Sequence, residues 1–173
     1  EAVLRQPAAG VDDWHITSPA EVARHMNKRF PLNPDIVQYF TLVYGVLDIE
    51  ASTLRYVCAG HPPPVLVRPD AEPDVQPGAG PPIGFMEDAV FDEHTLRLAS
   101  GDRLYLYTDG VLEARTDAGE EFDFPRVLAS LQEGRSLPLE NSVNAVAAAA
   151  HQWRAGPPQD DITLLALALA RPD

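Results

Sequence analysis

The chain has 173 residues, 45% of them hydrophobic, which suits one domain with a sizeable core and excludes a disordered chain. Its 26 acidic and 13 basic residues give a formal charge of −13, which repels phosphate backbones and argues against nucleic acid as a partner. The single cysteine, Cys58, excludes disulfide scaffolds and cysteine-rich zinc sites and reads as a small buried strand residue.

Residues 1–17 are rich in Ala, Gly and Asp and are expected to be irregular. Ser18-Pro19-Ala20-Glu21 reads as a helix start: Ser18 caps, Pro19 suits the first helical position, and Glu21 bonds back to the cap. Val22, Met26 and Phe30 continue it at intervals of four, and Pro31 and Pro34 end it. Tyr39 to Asp48 and Thr53 to Cys58 are rich in β-branched and aromatic residues, and the short link between them predicts a hairpin. Pro62-Pro63-Pro64 leads into a short strand, Val65 to Arg68. Residues 69–82 read as a surface loop. Phe91 to Leu98 and Arg103 to Tyr107 are strands, Val127 to Gln132 a short helix, and Asn141 to Arg154 a longer Ala-rich one. Asp160-Asp161 opens a last strand, Ile162 to Leu169. The order predicts an α+β fold with largely antiparallel sheets.

No positively charged leader precedes an apolar core, and the apolar stretch 162–170 is too short to cross a bilayer. No membrane association and a cytoplasmic location are therefore expected. The chain starts at Glu1 rather than Met, which reads as a piece of a longer protein.

Two acidic spots sit beside strand ends. Asp109 follows Arg103 to Tyr107, and Asp160 precedes the last strand. Paired carboxylates with water in the remaining positions suit hard cations such as magnesium or manganese, and no histidine pair has zinc-ligand spacing. Each spot also has a purely structural reading, since Asp-Gly is a common turn and an Asp pair often caps one.

Several segments occur in one family's order. They are Ser18-Pro19-Ala20-Glu21 with Asn27, Tyr39 to Asp48, Tyr56 to Pro64, Pro82-Ile83-Gly84, Gly101-Asp102, Leu106 to Val111 with Glu113-Ala114, and Asp160 to Leu164. Over residues 18–169 the chain resembles the SpoIIE-like branch of the protein phosphatase 2C superfamily. The resemblance implies a sandwich of two antiparallel β-sheets flanked by helices, of which residues 18–173 supply the C-terminal portion. It implies hydrolysis of phosphoserine or phosphothreonine on a protein by a metal-activated water, with two Mn2+ or Mg2+ ions in a complete domain. Asp109 and Asp160 match metal-binding aspartates, with Thr108, Gly110, Asp161 and His61 as neighbours of the site. The implied partner is a phosphorylated anti-sigma-factor antagonist, with a sensory domain upstream in the parent chain.

Two departures stand out. The family's earlier Gly-Asp-Val-x-Gly-x-Gly-like segment, which supplies a bridging Asp, has no match here, so it lies upstream of Glu1 or the domain is degenerate. Phe122-Asp123-Phe124 replaces the usual Phe-Gly, placing Asp123 in a loop beside the site. A catalytically incomplete module that acts by binding a partner is therefore the second reading. His61 also reads as a turn residue. His15, His25, His94 and His151 read as surface or packing residues, Trp14 and Trp153 as packing, and Glu120-Glu121 as a solvated loop.

Overall fold

The computed structural model describes residues 5–7, 14–32, 38–157 and 160–169. The chain divides into two compact units, Glu1–His61 with Gly78–Leu98, and Pro62–Pro77 with Ala99–Asp173. Among the described residues every strand pair is antiparallel, in keeping with the expected α+β class.

In the first unit, residues 1–17 are not wholly irregular as expected: β1 (Arg5–Pro7) pairs with β2 (Trp14–Ile16). Composition does not show this, because the pairing rests on backbone hydrogen bonds. Helix α1 (Pro19–Arg29) begins as its sequence dictates. The Ser18 hydroxyl accepts from the Glu21 N–H at 3.3 Å, and Pro19 occupies the first turn, where a missing N–H costs nothing. Its buried face is Val22, Ala23 and Asn27, while Phe30, expected on that face, is the exposed C-cap. Strands β3 (Leu42–Asp48) and β4 (Thr53–Ala59) form the predicted hairpin, and β7 (Glu93–Arg97) pairs on the other side of β4. The central strand β4 buries Tyr56, Val57, Cys58 and Ala59 in a run, as a strand covered on both faces does. Ala23 packs with Val57, Ala59, Ile83 and Phe91.

The second unit holds a four-stranded sheet in the order β6 (Asp74–Val75), β5 (Val65–Val67), β8 (Arg103–Tyr107), β9 (Leu164–Ala168). Strand β6 lies inside the Pro-rich stretch 69–82 that reads as a loop; two residues long, it is carried by pairing with Val65 and Leu66. Side-chain alternation puts Val65, Val67, Tyr105 and Tyr107 on one face. Three helices cover that face: α2 (Asp109–Leu112), α3 (Asp123–Glu133) and α4 (Leu139–Trp153). Helix α3 starts four residues before the predicted Val127, because Pro125 falls in the first turn, where proline is tolerated. Helix α4 buries Ser142, Val146 and Ala150 at intervals of four, and Ser142 Oγ lies 2.8 Å from the buried Tyr105 hydroxyl.

Candidate metal centre

Strand β8 delivers the chain to Thr108, whose φ of −77° and ψ of 159° turn it into α2. Its neighbour β9 runs the other way, with Tyr107 opposite Leu164. The ladder continues one step past the strand, the Thr108 N–H donating to Thr163 O at 3.0 Å. The Thr108 hydroxyl then acts twice, donating to Asp161 O at 2.9 Å and accepting from the Thr163 N–H at 2.9 Å. One side chain thus fastens the turn after β8 to the approach to β9. The buried Gly110 lies against the same approach: a Cβ there would sit 2.5 Å from Asp161 O. Only glycine permits that backbone contact.

The joint brings the Asp109 and Asp160 segments together backbone to backbone. Both aspartates are exposed. Asp109 Oδ1 accepts from the Gly110 N–H at 3.1 Å, and Asp160 Oδ1 accepts from the Asp161 N–H at 2.7 Å. Among the described residues neither carboxylate has a cationic partner, and each Oδ2 is left without a hydrogen bond. Asp161 contributes through its backbone carbonyl to Thr108. His61, half-buried, ends the first unit's opening segment, whereas Asp109 and Asp160 belong to the second unit. Gly60, before it, has φ of +68°, and its N–H donates to Gly80 O at 2.9 Å, which makes this a shaped turn.

A recess of about 20 Å³, room for one water, is lined by Asp160, Gly110, Glu113, Arg115 and Arg154, among others, with Asp109 outside its lining. Sequence reasoning singled out neither arginine. Their positions, 115 and 154, follow a turn and a helix end, and only folding sets them beside Asp160. Arg154 Nη2 lies 2.6 Å from His151 Nδ1, while its Nε is buried without a partner. The loop at Glu120-Glu121 is exposed as expected but is not simply solvated: Glu121 pairs with Arg115 and Glu120 with Arg126. Trp153 packs against Phe122 and donates from Nε1 to Glu120 O, beneath the Arg126 guanidinium. His25 is exposed, and the His94 ring lies 5.5 Å from that of Tyr56. The side chains of Trp14 and His15 lie outside the described residues.

The donor set fits a hard divalent cation in type, with two exposed carboxylates each offering an uncommitted oxygen. In number it is short, since no group of three His, Cys, Asp or Glu comes together among the described residues. Cys58 supplies no nucleophile: it is 2% exposed, and burial pushes its thiol up to about 11, so the thiolate is scarce at neutral pH.

A family model described as Stage II sporulation protein E (SpoIIE) matches residues 5–170. The phosphoserine phosphatase RsbP of Bacillus subtilis is 34% identical over 93 residues, covering 54% of this chain and 23% of that protein. The SiaA-PP2C domain of Pseudomonas aeruginosa superposes with a TM-score of 0.76 at 22% identity, over 88% of this chain and 61% of that one. The phosphatase domain of SpoIIE from Bacillus subtilis, presoaked with Mn, gives 0.63 at 18% identity, over 88% and 66%. These two likenesses establish the fold as that of PP2C phosphatase domains. The chain spans 17%, 23% and 30% of the length of three curated relatives it matches. Among the described residues no helix is long and apolar enough to cross a membrane.

Proposed function

The chain belongs to the Stage II sporulation protein E family of PP2C-type serine/threonine phosphatases, and from that premise we propose that residues 18–173 form the C-terminal portion of a metal-dependent protein phosphatase domain. The reaction is hydrolysis of phosphoserine or phosphothreonine on a protein. The substrate is an anti-sigma-factor antagonist, and a sensory domain upstream in the parent chain controls the activity.

The observation that carries this reading is the Thr108 joint. It holds the turn bearing Asp109 and the approach bearing Asp160 in contact, with Gly110 against Asp161 O. The joint extends the β8–β9 ladder by one step and so sets two aspartate-bearing segments about fifty residues apart in sequence at one end of the sheet. Asp109 and Asp160 are the residues that would hold a divalent ion. A bound Mn2+ or Mg2+ supplies a water of lowered pKa and neutralises charge on phosphoryl oxygens. Thr108 and Gly110 keep the two carboxylates' backbones fixed, so their oxygens need little reorganisation. The chain's charge of −13 makes a local cation the natural way to admit a phosphate dianion.

A partner-binding module is the second reading, favoured by the size of the donor set, because two carboxylates alone grip a hard ion weakly. Calorimetric titration of Mn2+ into this chain separates the site from the chemistry. Asp109→Ala and Asp160→Asn should each weaken binding at least tenfold; equal binding by wild type and both variants would sink the metal assignment. In the parent chain, phosphate release from a phosphoserine protein should be abolished by Asp109→Ala. Mn2+ binding without any turnover there would favour the module.

A further inference from the structure

At the opposite end of β8 from Thr108, three arginines from separate parts of the second unit line one recess. Arg68 follows β5, Arg103 opens β8, and Arg135 lies in the 3-10 turn Gly134–Ser136. Val67, Pro69 and Gly101 complete the walls, and the volume is about 160 Å³. The recess lies roughly 17 Å along the strand from Thr108, at about 3.3 Å per residue. It is therefore no part of the candidate metal centre.

The guanidiniums are incompletely satisfied. Arg103 stands between Val67 and Ala168 in the sheet, and its Nη1 is buried without a hydrogen-bond partner. A buried charged donor left without an acceptor is costly and calls for one. Arg135 is exposed and takes part in no ion pair among the described residues, and Arg68 makes a single contact, at 3.4 Å, with Asp74. The chain has only 13 basic residues against 26 acidic ones, so like charge gathered at one point runs against the field of the rest.

We propose that this recess is an anion site for a phosphoryl group, either free inorganic phosphate or a phosphoserine side chain. A carboxylate is planar and offers two oxygens, enough for one fork-to-fork pair. A phosphate dianion offers three free oxygens in different directions and two charges, which suits forks arriving from three separate segments. The volume admits such a group together with water. The site is independent of metal, so it stands or falls apart from the phosphatase reading.

The test is calorimetric titration of inorganic phosphate into this chain in the presence of a chelator, which keeps divalent ions out of the measurement. Phosphate should bind, and Arg68→Gln and Arg135→Gln, neither buried in the core, should each weaken it about tenfold. Arg103→Gln should remove it, and acetate should not compete. A short phosphoserine peptide serves as the second arm. Tighter binding than phosphate assigns the site to a phosphoprotein, and binding of inorganic phosphate alone assigns it to the free anion. No heat up to tens of millimolar phosphate, equal binding by Arg135→Gln and wild type, or equal displacement by acetate would overturn the proposal.

Discussion

Asn27 in the first unit and Asp109 in the second each accept a hydrogen bond from the N–H of a glycine, at 2.7 Å from Gly84 and 3.1 Å from Gly110. Asn27 is 4% exposed and commits its whole amide, since its Nδ2 also donates to Met86 O at 2.8 Å and Glu87 O at 3.1 Å. Asp109 is exposed and commits one oxygen of two. Both residues sit in motifs by which the family is recognised, yet only one has capacity left. A polar side chain whose every atom is engaged with backbone holds the fold; one with an idle oxygen beside a rigid joint is available to a ligand.

Replacing the engaged residue should do the most damage. Asn27→Ala removes three hydrogen bonds. The loop carbonyls can turn to water, but the buried Gly84 N–H loses its acceptor. The expected cost is about 2–3 kcal/mol, from the penalty for stranding a buried donor. Urea denaturation measures it, and a loss below about 0.5 kcal/mol would show that Asn27 is not the tie between α1 and that loop. Asp109→Ala should cost far less, because an acidic residue in a first helical turn is worth about 0.3–1 kcal/mol. A larger loss would erase the contrast on which the metal assignment leans.

Gly110→Ala tests the joint itself, and two effects oppose each other. Alanine favours helix over glycine by about 1 kcal/mol. The new Cβ, however, would meet Asp161 O at 2.5 Å, and backbone must move to relieve it, at a cost of about 3 kcal/mol. The clash wins, so destabilisation by about 2 kcal/mol is expected, with weaker Mn2+ binding although no ligand has been touched. A neutral or stabilised variant would mean that the two segments do not need that contact.

What could be read from the residues followed the range of the interactions. The Ser18 cap acts over three residues and the β3–β4 hairpin over a four-residue link, and both were plain. Asp109 and Asp160 stood out through motif order. The rest depended on distant partners. Strand β6 exists because Val65 and Leu66 lie beside it, and nothing in a proline-rich stretch announces that. The double hydrogen bond of Thr108 to a segment fifty-odd positions away is set by the β8–β9 register, which the residues around Thr108 do not show. Arg68, Arg103 and Arg135 carry no common motif, so their meeting was invisible. Helix α2 was missed because four residues starting Asp-Gly read as a turn, and its first turn is little more than that.

The smallest effect concerns Asp123, where glycine is the family's usual residue. Its φ is +64°, in the left-handed region. An L-residue there crowds its own Cβ against the following carbonyl, at a cost of about 1–2 kcal/mol, which Asp reduces by local hydrogen bonding. Asp123 does this: its Oδ1 accepts from the Phe124 N–H at 2.5 Å. Glycine would relieve the crowding but lose that bond and gain freedom in the unfolded chain. Relief of the crowding outweighs both losses, so Asp123→Gly should stabilise by about 0.5–1 kcal/mol and raise Tm by about 1–4 °C. Asp123→Ala, which keeps the crowding and drops the bond, should destabilise. If both variants lower Tm, the aspartate is there for its hydrogen bond to the Phe124 N–H, and a carboxylate with one oxygen still idle, as in Asp109, would then serve the fold alone, so the idle oxygen by itself would not mark a ligand.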